Sequence, residues 1–364
     1  MNLHDLQLPI RIFVKLSDVI DALVEERGLG KAILSNIVCE GLLAAYQKRY
    51  PELILQATYN DRSGLLALEV QKEVVSSVED EEVQISLRKM RAIDPHVAVG
   101  DKVWVPFEGS IGRIEIIRAK QLISSRIKEI EAAAVYSEFK DRQGSILQGI
   151  VHKQEFGGVS IKIHDHLAFL PRSLSIPDEK FPVGHPVRAL LKEVLEQPRN
   201  ENQLILDRAS EDFLICLFEL EIPEVYERLV EVKKAVRIAG YKSKVIVVSH
   251  DSNIDPVGTC VGVGGARIKP ILKELGNEKI DIIAATDSME KLVRSALKPA
   301  EINRVEISDD GLSARIWLDE DQRSLAIGKM GQNIMLASRL TGLDIQLVPV
   351  EKREAIDQKF EEEL

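Results

Sequence analysis

The 364-residue sequence has only three cysteines, Cys39, Cys216 and Cys260, an odd number at wide spacing with no C-x-x-C pair. That excludes a disulfide framework and a thiolate zinc site, and the thiols are expected to be buried as small apolar groups. No apolar run approaches the ~20 residues of a bilayer-spanning helix, because Lys, Arg, Asp or Glu interrupts every candidate. The opening MNLHDLQLPIRIF lacks a basic region, a long apolar stretch and a small-residue cleavage site, so a cytoplasmic protein without membrane contact is expected. An excess of basic charge is missing too: 48 Lys and Arg face 58 Asp and Glu, a net charge of −10. Polyanion binding normally needs the reverse. The average hides a segregation, since residues 1–228 hold 28 basic and 36 acidic side chains, residues 229–350 hold 17 and 16, and residues 351–364 hold 3 and 6. A near-neutral segment can still grip phosphate if backbone donors converge at one point.

What is present divides into several units, as expected of this length. Apolar positions at helical spacing predict helices over Ser17–Glu26 and Lys31–Lys48, the second carrying Ile33, Ile37, Val38, Leu42 and Ala45 and stopped by Pro51. Strand-like runs follow at Leu53–Tyr59, Leu65–Val70, Val83–Leu87 and Val103–Val105, the first two flanking a turn cluster at Asn60–Gly64. Residues 1–110 therefore read as an α+β domain with an acidic loop at Glu79–Glu82. Residues 111–139 contain a Gly- and Pro-free run from Ile114, with Ile123, Ile127, Ile130 and Ala134 at three- and four-residue steps, which predicts a long connecting helix.

From 140 to 209 the pattern changes to five short strands, Ser145–Val151, Val159–Ile163, Leu167–Leu170, Val187–Leu195 and Gln203–Leu206. That is the count of a small OB-type barrel, whose outer face commonly stacks single-stranded bases on aromatics. Phe156, Phe169, His164 and His166 are the candidate stackers, with a core position the alternative for Phe169. His164 and His166 at strand spacing, with no third ligand, do not make a metal site.

The strongest signal is a repeat spaced by 66 residues. Strand-like Val230–Ile238 and Lys244–Ser249 precede Gly262-Val263-Gly264-Gly265, then a helical run Ala266–Leu275 and a strand Lys279–Ile283. Arg304–Ile307 and Ala314–Leu318 precede a helical run Gln322–Ile327, then Gly328-Lys329-Met330-Gly331, a helix Gln332–Leu340 and a strand Leu343–Val348. A glycine pair at a helix–turn–helix corner lets a sugar–phosphate chain lie against the peptide, and this is how a KH module clamps about four nucleotides with few basic side chains. Gly262, Val263, Gly264, Gly265, Arg267, Gly328, Lys329, Met330, Gly331 and Gln332 are the expected RNA contacts, joined by Phe156, Phe169 and His164 on the barrel. A dinucleotide fingerprint is excluded because Gly262-x-Gly264 lacks the third glycine and opens no βαβ unit, and no phosphate-loop motif exists for an NTPase. No catalytic constellation is visible, so the chain does not read as an enzyme and no cofactor is expected.

The order α+β domain, helix, S1-type barrel, KH, KH resembles the NusA family of bacterial transcription elongation and termination factors over residues 1–350. The most specific stretches are Leu217–Glu224, Ser243–Val245, Ile254–Gly262, Ile280–Ile283 and Ala326–Asn333. The family pattern usually places a basic residue inside the first G-x-x-G, where this sequence has Gly264. Longer members carry acidic repeats that contact the polymerase α-subunit tail; here 14 charged and polar-rich residues follow Val350. The resemblance implies a multidomain α+β and β architecture: an N-terminal RNA-polymerase-binding domain (1–110), the helix (111–139), an S1 barrel (140–209), two tandem type II KH domains (210–285 and 286–350) and a charged tail (351–364). It implies a monomer that binds RNA polymerase, nascent single-stranded RNA and other elongation factors, and that modulates pausing, termination and antitermination. The alternatives are an S1/KH protein of translation or of RNA processing. An exoribonuclease is disfavoured because residues 1–110 are too short for a phosphorolytic core.

Overall fold

The computed structural model describes residues 14–15, 17–27, 29–60, 65–109, 112–276 and 278–349. Residues 61–64 of the turn cluster expected at Asn60–Gly64, and the charged tail, lie outside these residues. The chain separates into two compact units, residues 1–134 and 135–364.

The first unit runs β1 (Val14–Lys15), α1 (Ser17–Arg27), α2 (Lys31–Arg49), β2 (Leu55–Asn60), β3 (Leu65–Val75), β4 (Gln84–Ser86), α3 (Leu87–Arg91) and β5 (Lys102–Pro106), then most of α4 (Arg113–Phe139). Strand β3 is the hub: β1, β2 and β5 pair with it antiparallel and β4 parallel. The buried stripe of α2 begins at Leu34 rather than Ile33, which is exposed, and continues through Ile37, Val38 and Ala45. Gly41 also lies on the buried face. A Cβ there would stand 2.4 Å from Ile123 of α4, so the glycine sets how closely the two helices approach. Ala119 and Ile127 are buried on α4 and Ile123 and Ile130 half-buried, whereas Ala134 is exposed. The strand expected at Val83–Leu87 is shorter. Ser86 caps a helix instead, its hydroxyl accepting from the Lys89 amide (3.3 Å), and Leu87 opens α3.

In the second unit β6 (Ile146–Glu155), β7 (Gly158–Ile163), β8 (His166–Pro171), β9 (Pro186–Arg199) and β10 (Asn202–Asp207) close into a barrel in the order β10-β8-β7-β6-β9. Only β8 and β10 pair parallel, and the connectivity is that of an OB fold. Alternate residues such as Leu147, Val151, Ile161, Ala168, Leu170, Leu191 and Leu204 fill the interior, together with Phe139 at the end of α4. The first KH module follows as α5 (Glu211–Glu221), α6 (Pro223–Tyr226), β11 (Val230–Ile238), β12 (Lys242–Ser249), α7 (Pro256–Val261), α8 (Ile268–Glu274) and β13 (Lys279–Ala284). The second repeats the plan with α9 (Met289–Ala296), β14 (Arg304–Ile307), β15 (Ser313–Leu318), α10 (Glu320–Ile327), α11 (Gln332–Thr341) and β16 (Asp344–Pro349). In each the first two strands are antiparallel and the last pairs parallel with the middle one, the αββααβ order of a type II KH domain.

The modules of this unit share cores. Ile176 and Leu190 of the barrel pack with Phe213, Leu217 and Val245 of the first KH module. Val236, Ile246 and Ile283 from the sheet of that module pack with Leu336 and Leu340 of α11. A buried arginine is held at this junction. Arg237 and Glu278, both at 0% exposure, form a fork at 2.9 Å, and the remaining Arg237 nitrogen donates to the carbonyls of Arg208 and Ser210 at 2.8 Å. Cys39 and Cys260 are buried and Cys216 half-buried, and burial pushes Cys216 and Cys260 up to about 11, so the thiols are inert packing groups.

Candidate nucleic-acid interface

The two glycine loops have the same backbone. Gly262 (φ 73°, ψ 166°) and Gly328 (φ 73°, ψ 175°) end α7 and α10 in a region that essentially only glycine occupies. Gly264 (φ 60°, ψ 21°) and Met330 (φ 53°, ψ 29°) are left-handed, as are Gly265 (φ 77°) and Gly331 (φ 75°). Each loop closes by an amide reaching back three residues, Gly265 to Gly262 at 3.0 Å and Gly331 to Gly328 at 3.2 Å. The inner residues point outward. Val263 is 97% exposed and Met330 87% exposed, and Gly264 and Lys329 are also exposed.

The sequence argument gave both glycines of a pair the same reason, room for a phosphate chain. The structure separates them. A Cβ on Gly262 would stand 2.9 Å from Arg267 Cγ, and one on Gly328 would stand 2.6 Å from Asn333 Cβ, so the first glycine is required by the protein's own packing. Beside Gly331 there is nothing within 4 Å, and beside Gly265 the nearest atom is 3.6 Å away. The open approach is therefore at the second glycine, where α11 also presents its free amides and positive dipole end.

Arg267 and Asn333 form a brace that the sequence reading missed, although its 66-residue spacing was visible. Arg267 Nη1 donates to the Thr259 carbonyl (3.0 Å), and Asn333 Nδ2 donates to the Leu325 carbonyl (3.2 Å), again 66 residues apart. In both modules one side chain thus ties the helix after the loop to the helix before it. Arg267, one of the expected RNA contacts, also pairs with Glu224 at 2.7 Å. Gln332 places its Oε1 in a buried position with no partner among the described residues. The second brace reaches across the modules, since Lys242 of β12 donates to Asn333 Oδ1 (3.3 Å). Lys242 and the buried Lys244 share one oxygen of Asp281 at 2.7 Å, and burial, partly opposed by that carboxylate, lowers Lys244 below the usual lysine range.

On the barrel Phe156 is fully exposed at the β6–β7 turn. Phe169 is half-buried and outside the core: it sits on the outer face opposite Ser160, with its ring over Gly158, where a Cβ would come within 2.7 Å. His164 is exposed in the β7–β8 turn with φ 51°, and His166 faces Glu138 at 3.4 Å and the edge of Phe139 at 5.6 Å. The histidines are thereby separated in role, His166 holding the end of α4 and His164 pointing to solvent.

An OB-type barrel fused to two interlocked KH modules with duplicated, outward-facing G-x-x-G loops defines a multidomain protein of the S1/KH nucleic-acid-binding class. The comparisons with known proteins make this specific. The model of the NusA N-terminal domain matches residues 15–133, that of the NusA-like first KH domain residues 208–285, and that of the NusA-like second KH domain residues 289–355. The transcription termination/antitermination protein NusA of Thermus thermophilus is 36% identical over 356 residues, covering 93% of this chain and 91% of the relative. Its counterpart in Bacillus subtilis is 32% identical over 335 residues (92% and 90%), and that of Rickettsia conorii 33% identical over 346 residues (93% and 68%). The solution structure of the N-terminal domain of NusA from Bacillus subtilis is 29% identical, covering 32% of this chain and 95% of that one at a TM-score of 0.25. The chain belongs to the NusA family. Among the described residues, no helix is long and apolar enough to cross a membrane.

Proposed function

We propose that this protein is a transcription factor of termination and antitermination that holds nascent single-stranded RNA on its KH loops and barrel while its N-terminal domain docks on RNA polymerase. The observation that carries the reading is the pair of G-x-x-G loops with matching dihedrals and exposed inner residues. One such loop is an ordinary helix cap; two at the same joint, each rigidified by its own brace, form a repeated phosphate clamp. The clamp residues are Gly262, Val263, Gly264, Gly265, Gly328, Lys329, Met330 and Gly331, with Phe156, Phe169 and His164 as stacking surface on the barrel. The family relationship supports the polymerase as the partner of residues 1–110, with 111–139 as the connection, 140–209 as the barrel, and 210–285 and 286–350 as the KH pair.

The test is the full chain carrying Val263→Asp with Lys329→Asp, which leaves the left-handed positions untouched. Circular dichroism should be unchanged, and affinity for single-stranded RNA should fall at least ~10-fold through repulsion of the phosphates. The same variant should still co-purify with RNA polymerase and lose its effect on termination in a transcription assay. Unchanged RNA affinity overturns the clamp assignment, and co-purification with ribosomes rather than polymerase favours the translational alternative.

A further inference from the structure

Helix α11 follows the second glycine loop and belongs to the second KH module, yet it is seated on the first. Leu336 and Leu340 pack on Val236, Ile246 and Ile283 of the first module's sheet. At its far end Lys234 of β11 donates to the Leu340 carbonyl (2.8 Å), placing a cation on the negative end of the helix. At its near end stands Asn333, 4% exposed, with its amide oriented by three carbonyls around Nδ2, those of Leu297, Leu325 and Ala326, each at 3.2 Å. Oδ1 must then face away from them, and the donor that meets it is Lys242 of β12 at 3.3 Å. Lys242 is itself held, sharing Asp281 with Lys244 at 2.7 Å. The chain of contacts ends on the loop, because the space a Cβ would need at Gly328 is filled by Asn333 Cβ at 2.6 Å. In the first module the equivalent brace closes among its own residues, Arg267 reaching the Thr259 carbonyl and Glu224. The two loops therefore share a backbone conformation but not a support.

We propose that Lys242 is a positioning residue for the second G-x-x-G loop: through Asn333 it holds Gly328, and the amides that follow, in the geometry that receives phosphate. The grip of the second loop on RNA thus depends on one side chain of the first module. The assignment rests on the RNA-binding reading above and adds to it an asymmetry that the 66-residue repeat conceals. Removing the Lys242 ammonium leaves Asn333 Oδ1 buried without its donor, and a buried amide in that state recovers a partner by turning or by admitting water. Either movement displaces the side chain against which Gly328 is packed. The first loop is spared, since its brace closes through Thr259 and Glu224.

The test separates the loops on the full-length protein with a short RNA of about 8 nucleotides, two KH footprints of about four each. Val263→Asp disables the first loop and leaves the second to report, and Lys329→Asp does the reverse. Lys242→Met should weaken binding ~10-fold in the Val263→Asp background and by no more than about twofold in the Lys329→Asp background. Lys242→Arg, which keeps a donor, should retain the binding. Lys234→Met, which releases the other end of the same helix, should leave both backgrounds within about twofold, so that loosened packing alone does not account for the effect. In amide NMR spectra without RNA, Lys242→Met should move the signals of Gly328 and Gly331 and leave those of Gly262 and Gly265 in place. An unchanged second loop, an equal loss in both backgrounds, or the same loop-selective loss from Lys234→Met overturns the assignment. Unmoved glycine signals beside intact clamps also overturn the positioning role and leave the function standing. If neither Val263→Asp nor Lys329→Asp weakens RNA binding, the function proposed above falls and the role of Lys242 in RNA binding falls with it.

Discussion

Glycine is needed for different reasons at different positions of the two loops. At Gly328 a side chain would occupy a forbidden φ/ψ region and collide with Asn333 Cβ at 2.6 Å. Gly264 has open space and only a left-handed φ of 60°, a conformation that Met330 tolerates at the equivalent place. Gly328→Ala should therefore lower the stability of the second unit by roughly 3 kcal/mol or more, and Gly264→Ala by only ~1 kcal/mol. Chemical denaturation of the two variants checks the order. Equal costs would mean that the brace does not constrain the first glycine.

At the scale of elements, the interfaces of the second unit depend on charges that water does not reach. Arg237 of β11 is satisfied at every nitrogen by Glu278 and by two carbonyls from the segment leading into α5, so it fastens barrel exit, sheet and closing strand at one point. Glu278 additionally accepts from the Gly240 amide (2.9 Å) and the Ser243 hydroxyl (2.5 Å). Removing one partner leaves the other charge buried without compensation. Arg237→Ala should cost about 3–5 kcal/mol in urea unfolding, whereas Lys31→Ala, which breaks an exposed pair with Asp21, should cost under ~1 kcal/mol. A loss at Arg237 no larger than at Lys31 would show that water enters this junction.

At the scale of the whole molecule, the proposed function requires an acidic protein to hold a polyanion mainly through concentrated backbone donors. The salt dependence of RNA affinity should accordingly be shallow. With ~2–4 phosphates neutralised by the KH clamps on a short strand, the log–log slope should lie near −1.4 to −2.8, at about −0.7 per phosphate. A titration of the short RNA across ionic strength measures it. A slope typical of a strongly basic binder, several units steeper, would place the dominant contacts elsewhere.

Local signals were sufficient for what they encode. Hydrophobic period, turn residues and a 66-residue spacing specified the two first helices, α4, five barrel strands and both G-x-x-G loops, because each depends on residues near one another in sequence. Helices α5 and α9, which open the KH modules, and the short α3 were not singled out, since α5 is apolar nearly all round and the others are short. Ile33 and Ala134 were placed on the wrong side of their helices because only the neighbouring helix decides which of two adjacent stripes is covered. Glu224, 43 residues away in sequence, pairs with Arg267 in the fold, a partner that no local signal announces. Arg188 and Arg208 draw Glu179, Glu221 and Glu274 together from distant parts of the chain, a network no sequence spacing announces. Sequence by itself determined the repeat and the existence of the paired glycine loops, because backbone conformation is a local property of glycine. Which charges remain available to a ligand was decided by the tertiary structure alone, because pairing is a competition among groups that only folding brings within reach.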